Sequence, residues 1–184
     1  EMDGSYDEFV ADANRISPGS EGLIFLPTFY GSTAPLIDNS ARGGLLGLSK
    51  HHTRAHVTRA ILEGISLEIR WLLDTIEGLG VSINEVRLVG GGASNPLWNQ
   101  MHCDIFNRKV NTIKTSEASL TGAAMCGFTA LYQWEDFNQA TEKFVKISQT
   151  YQPNPLHQNA YNKAYEHYKR LFVTLSKENL FRRV

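Results

Sequence analysis

Cysteine, proline and methionine are scarce in this chain: its 184 residues include 2, 6 and 3 of them. Cys103 and Cys126 fall in segments of helical pattern, and neither has a partner at metal-ligand spacing. A disulfide framework is therefore not expected, and both read as plain buried thiols of a protein from a reducing compartment, the cytoplasm. No apolar run is long enough to cross a bilayer. The first residues, EMDGSYDEF, have neither the basic nor the apolar region of a signal peptide. Neither sign of charge is in excess, with 18 basic and 19 acidic residues and a net charge of -1. That excludes a broad basic surface for nucleic acid. There is no internal repeat, low-complexity tract or heptad run.

What is present is globular composition, 42% hydrophobic and 20% charged, sufficient for an ordinary core. Residues 1–184 read as one unit. Residues 1–16 suggest a short acidic helix, and Ser17-Pro18-Gly19-Ser20 a turn. Leu23 to Leu26 reads as a strand ended by Pro27, and Leu45 to Leu48 as a second, with a long Gly/Ser/Pro/Asn loop between them. Apolar residues from Val57 to Ile76 recur at helical spacing until Gly78 and Gly80 stop them. Gly64 lies inside that helix, where glycine costs about 1 kcal/mol, so it is expected to admit a neighbouring backbone.

Val86 to Val89 is a buried strand, and Asn95-Pro96 opens a helix to about Asn107. Val110 to Ile113 is a strand. A helix capped by Ser119 or Thr121 is expected to reach Tyr132, and further helices to span 138–147 and 159–177. The last carries an aromatic stripe of Tyr161, Tyr165, Tyr168 and Phe172, read as core. Strands alternating with helices imply an α/β layered fold with some parallel strands.

The segment from Glu85 to Phe106 carries the chemistry. A strand runs into Gly90-Gly91-Gly92, then Ala93, Ser94 and the helix start at Asn95. Glycines let a ligand lie against the backbone, and a helix N-terminus offers N–H groups and a positive dipole end. A flat base or a phosphate suits such a turn, with the Asn95 amide reading polar edges; a turn needing glycine for geometry alone is the competing account. No Gly-Lys-Ser/Thr follows, so this is not a P-loop, and the glycines lack dinucleotide spacing. No Gly-x-Ser-x-Gly elbow occurs, so a dehydrogenase or hydrolase is disfavoured.

Three other features read as structural. Small residues in Thr121-Gly122-Ala123-Ala124 suggest close helix packing. Asp38 and Arg42 could pair to shape the long loop. His52 and His56 share a helix face but show no third ligand, so no metal site is assigned.

Four segments in order resemble the C-terminal domain of FGGY carbohydrate kinases. They are Leu26-Pro27 with Tyr30-Gly31 and 39–48 (NSARGGLLGL), 56–64 (HVTRAILEG), 90–104 (GGGASNPLWNQMHCD), and Thr121 to Ala124. The Tyr30-Gly31-Ser32 region resembles the pentulose kinases of the family, xylulose and L-xylulose kinases among them. The resemblance implies the C-terminal half of an actin/hexokinase-like ATPase with RNase H-like halves, and ATP with Mg2+ as cofactors. It implies adenine or ribose contacts at Gly91 and Asn95, with Gly90, Gly92, Ala93 and Ser94 shaping the same wall. In that family the catalytic aspartate, most sugar contacts and the first phosphate loop lie in the N-terminal half. No segment here matches the second phosphate loop, and the family's ATP contact before the acidic helix is also missing. No catalytic residue is therefore carried over, and the half looks incomplete, lacking its N-terminal kinase partner. The function implied is part of a sugar kinase; a non-catalytic binding or regulatory module of the same fold is the alternative. A missing hairpin would leave a sheet edge open, so self-association, as into a homo-oligomer, or poor stability is expected.

Overall fold

The computed structural model describes residues 6–115, 117–131 and 136–181. The expected N-terminal acidic helix begins within this range as α1 (Tyr6–Ala13); the first five residues of the reading lie outside it. Gly19 takes φ +89° in the turn that follows. β1 (Ile24–Leu26) and β2 (Gly44–Leu46) pair antiparallel, with Phe25 opposite Leu45. Between them, Ser32 and Asp38 exchange both backbone hydrogen bonds, at 2.9 and 2.8 Å.

α2 (Arg54–Gly78) is the long helix. Its first turn is closed by Thr53 and His56: the Thr53 N–H donates to His56 Nδ1 at 3.1 Å. A Cβ placed on Gly64 would stand 2.2 Å from the Phe25 carbonyl oxygen. Glycine is therefore required where α2 crosses β1, as the sequence suggests.

β3 (Val86–Leu88) and β4 (Val110–Ile113) are parallel, linked by α3 (Pro96–Phe106). β5 (Ile147–Tyr151) adds antiparallel to β4, giving the order β3-β4-β5. Before it come α4 (Ala118–Ala130) and α5 (Phe137–Phe144); α6 (Gln158–Lys177) closes the described chain. The mixed α/β class is as expected.

The main core gathers β1, β4, α2, α3 and α6. Tyr161, Tyr165, Tyr168 and Phe172 are all 3% exposed or less, and burial of each such side chain stabilises by roughly 1.5–3 kcal/mol. Trp71 of α2 meets Tyr168 and Phe172 edge-on, at 6.5 and 5.7 Å between ring centroids. The charged exception is a buried pair within α2, Arg59 Nε to Glu63 Oε1 at 2.7 Å. Ser20 Oγ donates to Glu63, and Arg59 donates to the Ala13 carbonyl and the Tyr161 hydroxyl. Satisfied on both sides, the pair locks α1, the turn at 17–22 and α6 onto α2.

Six expectations need correction. The strand at Val86–Leu88 is not buried: Arg87 is exposed, as is Val89 just beyond it. The helix read over 138–147 ends at Phe144, and Ile147–Tyr151 is a strand. Neither Ser119 nor Thr121 caps α4: the helix starts at Ala118, and Thr121 Oγ1 donates to the Glu117 carbonyl one turn back. The expected end of α4 at Tyr132 lies outside the described residues. Cys103 is buried but Cys126 is exposed, because none of the residues of α4 is buried; among the described residues its main contact is with α5, not with a sheet. Asp38 does not pair with Arg42. Asp38 accepts from the Ser40 N–H and hydroxyl and from Ser176 Oγ, whereas Arg42 donates to the Asn39 and Ala41 carbonyls.

Candidate functional site

β3 and β4 end side by side, and ligands of open parallel sheets bind beyond such carboxyl ends. A cavity of about 260 Å3 lies there. Leu88, Val89 and Gly90 form one side, Ala93, Ser94, Pro96 and Asn99 a second, and Thr112 to Thr115 with Ser148, Gln149 and Tyr151 the third.

The turn is built as the glycines require. Gly90 adopts φ +83°, ψ -174°, a conformation that side chains resist. A 3-10 turn over Gly91–Ser94 follows, with Ala93 N–H on the Gly90 carbonyl and Ser94 Oγ on that of Gly91. A Cβ on Gly92 would meet the Trp98 ring at 3.0 Å, while none would touch anything at Gly91. Of the six residues singled out in the sequence, Gly90, Ala93 and Ser94 line the cavity; Gly91, Gly92 and Asn95 stand beside it without lining it.

The start of α3 is not an open anion site. Asn95 Oδ1 accepts from the N–H groups of Leu97 and Trp98 at 3.0 and 3.2 Å, and Asn99 N–H donates to the Asn95 carbonyl. Pro96 has no N–H to offer. With its first donors engaged, this helix end favours a flat ring over a phosphate. Among the described residues, Lys114 is the one charged residue on the cavity wall.

Asn99 is the residue that sequence reasoning missed. It is 1% exposed, and its Nδ2 donates to the Ala93 carbonyl at 2.8 Å and to the Tyr151 hydroxyl at 3.4 Å. Tyr151 donates onward to Gln149 Oε1 at 2.9 Å. The chain of bonds ties the glycine turn to β5. Separation in the sequence hid it: Asn99 and Tyr151 are 52 residues apart. Behind the turn, His102 stacks on Trp98, and burial pushes its imidazole down to about 4. Burial pushes the Cys103 thiol up to about 12, so it stays protonated and inert.

Two other places offer less. A wider groove of about 890 Å3 runs along the outside of α6, beside Trp71, Lys163, His167 and Arg170; it lacks polar groups converging from several elements. At the start of α2, Glu21 supplies the third ligand-type residue that the sequence did not reveal. One atom each from Glu21, His51 and His52 lies within 4.8 Å of the others. However, Ser49 N–H donates to His52 Nδ1 at 3.0 Å, so the neutral ring carries its proton on Nε2 and has no lone pair to spare. His56, fixed the same way by Thr53, turns Nε2 to Glu21 Oε2 at 3.5 Å.

An open α/β domain with a glycine-walled cavity at the carboxyl ends of parallel strands is the class of fold in which ligands bind at that place. Residues 4–131 match the FGGY family of carbohydrate kinases, C-terminal domain, and the chain belongs to that family. It is 32% identical over 174 residues to xylulose kinase of Lactococcus lactis, and 32% identical over 173 residues to gluconokinase of Bacillus subtilis. These alignments each cover 94% of this chain, but 35% and 33% of the relatives. The chain thus spans about a third of the length of the curated relatives it matches. Among solved structures, it resembles gluconate kinase from Lactobacillus acidophilus, with TM-score 0.86, 26% identity, and coverage of 96% of this chain and 36% of that one. Xylulose kinase from Rhodospirillum rubrum gives TM-score 0.81, 28% identity, and coverage of 96% and 35%. The fold is the C-terminal part of the actin/hexokinase-like architecture of these sugar kinases. Among the described residues no helix is long and apolar enough to cross a membrane.

Proposed function

We propose that residues 1–184 form one unit, the nucleotide side of an ATP-dependent carbohydrate kinase that phosphorylates a pentulose or related sugar or polyol, xylulose being the leading candidate. The observation that carries this is the cavity at the β3 and β4 carboxyl ends, walled by Gly90, Ala93 and Ser94 in a chain of this family. Its volume suits the base of ATP, and the capped α3 end leaves the phosphates to other parts of the enzyme. Gly91 and Asn95 flank the base or ribose, and Gly92 holds the turn against Trp98. Among the described residues no carboxylate lines the cavity, and no residue of it is assigned to Mg2+. Phosphoryl transfer depends on positioned phosphates and metal, and the chain by itself is inactive. Two free cysteines suit a reducing, cytoplasmic setting.

An amide-resolved NMR titration of this chain with MgADP tests the reading. Shifts centred on Gly90 to Asn95, with Lys114 and Gln149 moving in step, are expected. Shifts confined to the α6 groove, or none in a folded sample at millimolar nucleotide, would overturn it.

A further inference from the structure

We propose that Asn99 sets the base preference of this cavity, its Oδ1 accepting a hydrogen bond from the exocyclic amino group of adenine. The proposal rests on reading the cavity as a nucleotide site. Asn99 lines it and is 1% exposed. Both hydrogens of its amide are directed at protein acceptors, the Ala93 carbonyl and the Tyr151 oxygen. Its Oδ1 is buried and has no partner among the described residues.

Turning the amide over does not resolve this. Oδ1 would then face the Ala93 carbonyl, acceptor against acceptor, and the 2.8 Å bond that holds the turn would be lost. Tyr151 cannot serve it either, since its single proton goes to Gln149 Oε1 at 2.9 Å. What remains is a fixed, buried acceptor beside a cavity, and buried acceptors are rarely left without a donor.

The cavity also defines what brings that donor. At about 260 Å3 it lies just below the range of drug-sized sites, about 300–1,000 Å3, and so takes a ring system rather than a whole nucleotide. Adenine presents an amino donor where guanine and hypoxanthine present an oxo acceptor. An oxo group opposite Oδ1 would set two acceptors together in a buried place, which the site rejects. A residue that only packed the turn would not tell these bases apart.

The test is a calorimetric titration of this chain with the Mg2+ complexes of ADP, inosine diphosphate and the diphosphate of unsubstituted purine riboside. ADP is expected to bind about tenfold tighter than either of the others. Asn99→Leu is expected to bring the three within twofold of one another. Equal affinities in the wild type overturn the proposal while leaving the nucleotide site standing. So does a preference for ADP that survives Asn99→Leu. Should that variant fail to fold, the wild-type ligand series decides by itself. Absence of binding by all three to the folded wild type overturns the nucleotide reading and this proposal together.

Discussion

His102 is 6% exposed, lying at 4.9 Å and a 27° tilt against the Trp98 ring, between the glycine turn and the core. Burial depresses its pKa from 6.5 to about 4. The unfolded chain therefore binds the proton more readily than the folded one. The neutral ring's contribution is complete above pH 6.5 and is lost as pH falls towards 4. The shift corresponds to roughly 3 kcal/mol. Thermal melts of the wild type and His102→Phe across this window are expected to diverge, the wild type losing about that much more. Asp38 and Glu85, held low by hydrogen bonds from Ser176 and Lys109 first of all, also lose stability in acid. They do so in both proteins, and the comparison cancels them. Parallel pH profiles would show that His102 is not the titrating group.

At the scale of elements, the crossing of α2 over β1 depends on Gly64. Gly64→Ala puts a methyl 2.2 Å from the Phe25 carbonyl oxygen. Backbone, not a flexible side chain, must then move, and a loss of about 1–3 kcal/mol is expected in a denaturant melt; an unchanged midpoint would mean that the crossing is loose. This glycine was legible because it broke a strong helical pattern at one place. β5 was not. Ile147–Tyr151 reads ISQTY, with polar residues between its ends and only Tyr151 buried. An outer strand with no apolar face to alternate leaves no period-2 signal. The periodicity of Phe137, Ala140 and Phe144 also runs on towards Ile147, which extended the helix reading too far. The site divides in the same way. Gly90, Ala93 and Ser94 stand together in the sequence and could be named from it. Asn99, Lys114 and Gln149 come together only when β4 and β5 pair, and no local spacing announces that.

For the whole molecule, the described sheet ends at β3, whose outer edge no other described strand covers. At its end Val89 is 52% exposed, and elsewhere on the surface Leu120 of the unburied α4 is 67% exposed. Open edges with apolar neighbours invite pairing. Isolated, this chain is expected to elute in size-exclusion chromatography ahead of a monomer and to shift towards larger species with concentration. A concentration-independent monomer with a steep, high-temperature melt would contradict this.

The hydrogen bond from Ser176 Oγ to Asp38 Oδ2, 2.6 Å long, joins residues 138 apart. On a ribosome, the strand pair β1-β2 and its long loop emerge well before α6 does. The loop therefore lacks the Ser176 partner of Asp38 while the intervening residues are made, and acquires it only when α6 docks. Anything that delays or trims that helix is felt at Asp38, far back in the order of translation.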